Sequence, residues 1–169
     1  LRFDAYHVLD RSGRPLYGTI IWNVPGAQLD PEADALLRRL VTQQGVGLVA
    51  FSDTVLTPVV AELTGVKSTG KYEAAIALAP VGEHFITRGL RIAETSAKVT
   101  GLLRNRWAGA AAEVVGGTAV EAREDAIVVR RGGRPFLTAR QTPGGGHTVW
   151  LDSERTTAQL CRQTVRDLF

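Results

Sequence analysis

The stretch from Tyr17 to Val66 constrains the fold more than any other part of this chain, because it predicts two strands and two helices in alternation. The first strand is a continuous apolar and β-branched run over residues 17–22, a pattern typical of a strand covered on both faces. A second apolar run covers residues 46–51. Two buried strands joined by a short helical crossover pair in parallel with a right-handed connection. The stretch therefore predicts a parallel α/β core.

The helix between these strands has readable boundaries. Asp30 can cap the free backbone amides, Pro31 stands at the first helical position, and Gly45 can end the helix as a left-handed cap. The apolar residues recur at helical spacing and form one face that packs on the sheet: Ala33, Leu36, Leu37, Leu40 and Val41.

The next helix is predicted over residues 55–63. Asp53 or Thr54 would cap its beginning, and Gly65 would end it. Pro58 is compatible with this helix only near the first turn, because proline has no backbone N–H.

Period-two alternation dominates the second half and predicts antiparallel hairpins. The predicted strands are Glu113–Glu121, Ala126–Arg131, Phe136–Arg140 and His147–Leu151, with glycine turns at residues 132–133 and 144–146.

The two ends and the middle of the chain are read separately. Residues 3–9 predict a short strand, and residues 91–111 show no readable pattern. A closing helix is predicted from a capping box of Thr156 and Gln159 and from an apolar stripe. The stripe consists of Leu160, Cys161, Val165, Leu168 and Phe169.

Composition bounds the class of protein. The chain has 169 residues, 44% of them hydrophobic and 22% charged, which suits one compact domain over residues 1–169. Because the chain begins at Leu1 and contains no Met, we expect it to be a piece of a longer protein. The basic residues are scattered, so nucleic acid is not an expected partner. No run approaches the roughly 20 apolar residues of a membrane span, so this segment is not expected to insert into a membrane.

Cofactor and metal sites are not predicted. One cysteine and three histidines are dispersed along the chain without metal-ligand spacing. The triple glycine at 144–146 lies between two predicted strands and is not followed by Lys-Ser or Lys-Thr, so it indicates a turn and not a phosphate loop.

Several runs, in order along the chain, carry a resemblance to a known family. They are Tyr17–Trp22, Leu29–Glu32, Leu37–Val41, Gly45–Ala50, Leu63–Val66, His84–Leu90, Arg134–Leu137 and Gly145–Leu151. Together they resemble the class I glutamine amidotransferase-like superfamily, in the noncatalytic branch found in the trimerisation domain of some β-galactosidases and in other extracytoplasmic or carbohydrate-related proteins.

The resemblance and the residue pattern together set the expected fold. That fold is α/β, a flavodoxin-like doubly wound parallel sheet with helices on both faces and an added antiparallel hairpin region toward the C-terminus. The resemblance implies contacts with other domains of a parent chain or a homo-oligomer, and it is compatible with an extracytoplasmic location.

The chemistry of the catalytic branch is not expected here. The position of its cysteine nucleophile matches Ser52, flanked two residues away by Ala50 and the β-branched Thr54, and no His-x-Glu or His-Pro-Glu pair occurs. Ser52, Asp53 and Thr54 are more simply interpreted as helix-capping residues.

Three hypotheses for function stay open at this stage. The first is a noncatalytic module that makes domain, subunit or ligand contacts, with Asn23, Ser52, Asp53 and Thr54 as ligand-binding candidates at the carboxyl ends of the parallel strands. The alternative is a serine hydrolase or amidase-like enzyme in which Ser52 is the nucleophile and His84 the base. A third is a receptor domain that binds a nucleotide or a sugar.

Overall fold

Strands of both orientations form the principal sheet of this protein. A computed structural model describes residues 3–75, 78–88 and 114–152. In chain order the described helices are α1 (Ala5–Val8), α2 (Pro31–Gln43) and α3 (Pro58–Thr64), with 3-10 turns at Ser52–Leu56 and Glu124–Ala126. The described strands are β1 (Thr19–Trp22), β2 (Gly47–Phe51), β3 (Val66–Ala75), β4 (Leu78–Pro80), β5 (Val114–Ala122), β6 (Ile127–Arg131), β7 (Arg134–Gln141) and β8 (His147–Leu151).

The six-stranded sheet has the order β1-β2-β8-β7-β6-β4, and β3 pairs with β5 in a separate two-stranded sheet. Strand β2 runs parallel to β1 and to β8, with Trp22 opposite Ala50 and Phe51 opposite Leu151. The pairs β8–β7, β7–β6 and β6–β4 are antiparallel. The α/β class, the parallel β1–β2 pair and the β6–β7 and β7–β8 hairpins are confirmed, while a flavodoxin-like sheet is not. The strand predicted over residues 113–121 forms as β5, but it pairs with β3 and not with β6.

Helix α2 forms where the sequence predicts it. Asp30 Oδ1 accepts a hydrogen bond from the Ala33 amide at 2.8 Å, and Pro31 occupies the first turn. Gly45 follows the helix end with φ of +69°, a conformation that glycine adopts without steric cost. The buried residues are the predicted ones: Ala33, Leu36, Leu37, Leu40 and Val41.

The single helix predicted over residues 55–63 is wrong, because two elements occupy this region. A 3-10 turn comes first, and Thr54 closes it by accepting a hydrogen bond from the Phe51 amide at 2.9 Å. Helix α3 then begins at Pro58, with Thr57 as its extended N-cap residue. Proline disfavours helical geometry at the preceding residue, so Pro58 starts a new helix and does not continue the turn. Gly65 ends α3 with φ of +69°, as predicted.

Two predictions near the N-terminus are also wrong. Residues 3–9 contain the short helix α1 and not a strand, because the Asp4 carboxylate accepts a hydrogen bond from the His7 amide and caps a local turn. Strand β1 is not covered on both faces, since Trp22 is buried but Ile21 is 55% exposed. The reason is its place at the edge of the sheet.

The two largest apolar clusters pack against the sheet. One includes residues of α2 and α3 packed on Trp22, Leu48 and Trp150. The other is built from Val129, Phe136, Leu137, Val149 and other β-strand residues, together with Ile86. Within the described residues no helix contributes to the second cluster. The prediction that helices cover both faces of the sheet is therefore not confirmed. The predicted closing helix and residues 91–111 lie outside the described residues.

Candidate functional site

The carboxyl ends of three neighbouring parallel strands lie at one edge of the sheet. Asn23 follows β1, Ser52 follows β2 and Asp152 follows β8, in the register that pairs Phe51 with Leu151. This is the edge at which ligand sites of parallel α/β sheets occur. The side chains around Ser52 and Asp152 are called the carboxyl-edge cluster here.

Ser52 has an unusual backbone conformation. Its φ is +38°, a left-handed value that non-glycine residues rarely adopt, and it lies where β2 turns directly into the 3-10 turn. Its hydroxyl donates to Asp152 Oδ1 at 3.1 Å, and its carbonyl accepts a hydrogen bond from Trp150 Nε1 at 3.0 Å. The hydrogen bonds from Trp150 in β8 and to Asp152 just after it hold both the carbonyl and the side chain of Ser52 in this strained turn.

Asp152 is the centre of the cluster and is fully buried. Besides Ser52, the Tyr72 hydroxyl donates to its Oδ2 at 3.0 Å, and Arg131 Nη1 lies 3.8 Å from the same oxygen. Arg131 is itself buried and stacks on the Phe136 ring, 4.1 Å from its centroid.

The environment shifts the ionisation of this cluster. Burial raises the pKa of Asp152 above its ordinary value, and it outweighs the opposing effects of Tyr72, Arg131 and Ser52. Burial, and then the negative charge of Asp152, raise the pKa of Tyr72 to about 12. The tyrosine therefore stays a neutral hydrogen-bond donor at physiological pH.

Asp53 belongs to a second, more exposed group. Lys71 Nζ lies 2.6 and 2.5 Å from its two carboxylate oxygens, and the Thr118 hydroxyl donates to Oδ1 at 2.7 Å. Burial alone would raise the pKa of Asp53, but the hydrogen bonds from Lys71 and Thr118 and the lysine charge lower it overall. The pKa values of Asp53 and Asp152 are thus shifted in opposite directions, although both residues lie at the same edge of the sheet.

The predicted ligand-binding residues have different environments. Asn23 is exposed at the end of β1, and Ser52 and Asp53 are half-buried within the polar groups described above. Thr54 is buried and its hydroxyl is used in the 3-10 turn, so it faces away from solvent.

Sequence reasoning missed the residues that hold Ser52 and Asp53 in place. These are Lys71, Tyr72, Thr118, Arg131 and Asp152, which come from three strands and the end of a fourth. No signal in the sequence marks Arg131, because it follows Arg130 and precedes the Gly132-Gly133 turn, where a basic residue is ordinarily exposed.

Ser52 and His84 are not brought together. The His84 ring lies near His147 at the start of β8, whereas Ser52 contacts Asp152 just beyond its end. Strand β8 is five residues long, so at about 3.3 Å per residue its ends are roughly 13 Å apart. The third histidine, His7, hydrogen-bonds Asp4 through Nδ1 at 2.7 Å.

The fold and the cluster define a mixed α/β protein with a buried carboxylate at the carboxyl edge of its parallel strands. No family model matches the chain, and no curated protein matches it. Among solved structures it is similar to the cytoplasmic protein STM1381 from Salmonella typhimurium LT2, with a TM-score of 0.57 and 15% identity. The match covers 89% of this chain and 66% of that one, and at this identity it shows the fold alone.

Three sequence-based expectations concern a membrane span, a metal site and the location of the protein. Among the described residues no helix is long and apolar enough to cross a membrane. The same residues contain no group of three or more histidine, cysteine or acidic side chains arranged to hold a metal. The comparisons give no support for the extracytoplasmic location suggested by the resemblance.

Proposed function

We propose that this chain is a noncatalytic module of the amidotransferase-like type, with a flavodoxin-like fold, that makes domain, subunit or ligand contacts within a larger protein. The observation that carries the proposal is the environment of Ser52. Ser52 has an elbow-like backbone conformation at the position that matches the family nucleophile, but its hydroxyl donates a hydrogen bond to the buried carboxylate of Asp152.

A serine nucleophile needs a base that removes its proton and an orienting group for that base. All three histidines lie in the described parts of the chain. His7 hydrogen-bonds Asp4, His84 accepts from the Ile86 amide, and His147 lies near His84. The contacts of these histidines are therefore not with Ser52. The resemblance and this geometry together favour a scaffold that has the turn at Ser52 but does not place a histidine base and its orienting group beside it.

Exposed apolar side chains support the contact role. Leu16, Tyr17 and Ile21 lie in and just before β1, and each is more than half exposed. Strand β1 is at one end of the sheet order, so its outer edge can accept another chain. A neighbouring domain or a second subunit is the partner that such an edge suits.

One observation favours the hydrolase alternative in a modified form. A carboxylate whose pKa is raised is a stronger base than usual, and Asp152 already accepts the Ser52 proton in a hydrogen bond. In this second candidate Asp152, and not His84, would be the base. Against it stands the dense hydrogen bonding of Asp152 with Tyr72 and its proximity to Arg131, which reduce its basicity.

The test of catalysis compares the wild type with Ser52→Ala and Asp152→Asn. We expect no labelling of the wild type by a fluorophosphonate probe and no turnover of p-nitrophenyl acetate above that of Ser52→Ala. Labelling or turnover that disappears in Ser52→Ala and falls in Asp152→Asn would establish the hydrolase instead.

The test of contacts uses light scattering over a range of protein concentrations. If β1 mediates self-contact, Ile21→Lys reduces association, whereas Val81→Lys, at a similarly exposed position beside β4, does not. A wild type that stays monomeric at every concentration would exclude the homo-oligomer and leave another domain of the parent chain as the partner.

A further inference from the structure

A cleft lies at the end of β8 opposite to the carboxyl-edge cluster. Its volume is about 400 Å³, within the roughly 300–1,000 Å³ of small-molecule sites. The side chains that matter for its chemistry are His84, Phe85, Arg123, Asp125, Gln141 and His147. It shares none of them with the carboxyl-edge cluster, so it stands or falls independently of the function proposed above.

An aromatic wall forms one side of the cleft. The His84 and Phe85 rings are 4.4 Å apart between centroids with a tilt of 33°, and Phe85 meets His147 edge-on at 5.7 Å. Phe85 is 39% exposed, which is unusual for a phenyl ring already packed between two imidazoles. A planar aromatic ligand could extend this set of ring contacts in the offset or edge-to-face geometry that aromatic pairs prefer.

Hydrogen bonding fixes the orientation of His84. Its Nδ1 accepts from the Ile86 amide at 3.2 Å, so the neutral ring carries its proton on Nε2. That N–H can donate to an acceptor group on the ligand.

The charges at the rim are balanced. Arg123 makes a forked pair with Asp125 at 3.0 and 2.6 Å on the exposed surface. Arg140 also borders the cleft, but its guanidinium packs against the position of Gly65. An anionic ligand therefore makes its polar contact with the imidazole N–H groups.

We infer that this cleft binds a small planar aromatic carboxylate, with the ring against Phe85 and the carboxylate facing His84 and His147. The aromatic wall supplies the apolar contact, and the imidazole donors supply the polar one. A flat ring of six to ten atoms fits the volume.

His84 acts on the ligand as a neutral donor. Burial, followed by the charge of His147, holds the pKa of His84 below its ordinary 6.5, and its Nδ1 already accepts from the Ile86 amide.

The experiment uses benzoate as the probe, followed through the histidine ring signals in NMR. Three histidines give three resolvable Hε1 signals, and benzoate should move those of His84 and His147 and leave that of His7 in place.

Matched ligands and variants separate the two contacts. Benzamide, which lacks the charge, and cyclohexanecarboxylate, which lacks the flat ring, should each bind more weakly than benzoate. Phe85→Leu should remove the preference for benzoate over cyclohexanecarboxylate, and His147→Gln should weaken the binding of benzoate. His7→Gln is the control and should behave as the wild type.

Three results would overturn the inference. They are equal affinity for benzoate and cyclohexanecarboxylate in the wild type, movement of the His7 signal in place of the other two, or an unchanged affinity for benzoate in His147→Gln. Thermal denaturation of each variant checks that it is folded before binding is compared.

Discussion

At the scale of single residues, Gly117 shows how closely the carboxyl-edge cluster is packed. A methyl group at this position would lie 2.2 Å from Asp152 Oδ2 and 2.6 Å from Tyr72 Cε1. Both neighbours are held by hydrogen bonds, so neither can move away without breaking the contact between them.

Gly117→Ala should therefore destabilise the protein. We expect a loss of about 1–3 kcal/mol in the free energy of unfolding, the usual cost of excess volume in a packed site. Urea denaturation measures it, and Gly18→Ala is the matched control because a methyl group there meets nothing within 4 Å. Equal stability of the two variants would show that the cluster can relax.

Asp53 and Asp152 should titrate on opposite sides of the ordinary aspartate value of 3.8. Carboxyl-carbon NMR, assigned with Asp53→Asn and Asp152→Asn, should place the midpoint of Asp53 below that value and that of Asp152 above it. The reverse order would mean that Lys71 does not pair with Asp53, or that Asp152 is not buried as the structure has it.

The two shifts have opposite consequences for stability. The contribution of Asp53 is present above pH 3.8 and is lost as pH falls through its lower folded-state pKa. Asp152 binds its proton more readily folded than unfolded, so its ionisation lowers stability as pH rises from 3.8 through its raised pKa. Asp152→Asn should therefore gain stability relative to the wild type as pH increases through that window.

At the scale of elements, α2 depends on its first residues. Asp30 supplies both a hydrogen bond to the Ala33 amide and a negative charge at the positive end of the helix. Asp30→Ala should lower the free energy of unfolding by about 0.5–2 kcal/mol, as loss of an N-cap does.

The control for this change is another aspartate with a visible partner. Asp125 pairs with Arg123, but both side chains are largely exposed, so Asp125→Ala should change stability by less than about 1 kcal/mol. Urea denaturation of the two variants side by side distinguishes them, and a larger loss in Asp125→Ala would contradict the assignment of Asp30 as the cap.

At the scale of the whole molecule, β8 joins the parallel and antiparallel halves of the sheet. It pairs with β2 on one side and β7 on the other, and Val149 and Trp150 are fully buried. Amide hydrogen exchange should be slowest in β8 and its two neighbours and faster in the edge strand β1. Exchange in β1 as slow as that in β8 would indicate that the outer edge of β1 is covered.

The predictability of this fold varies with the range of the interactions involved. The boundaries and buried face of α2 follow from a cap, a proline, a glycine and a spacing that all act within one helix. The division of residues 52–64 at Pro58 was in principle readable, because proline restricts the residue before it. The partial exposure of β1 could not be predicted in this way, because an apolar run does not show whether its strand is central or at the edge of the sheet.

The sequence by itself determined the α/β class, helix α2, the pairing of β1 with β2 and the C-terminal hairpins, because caps, periods and turns act between residues close together in the chain. Only the tertiary structure decided that Ser52 donates to Asp152, 100 positions further along, and that His84 lies at the far end of β8. Those partners are chosen by the order and direction of strands in the sheet, which depend on the packing of the whole chain and leave no local pattern to read.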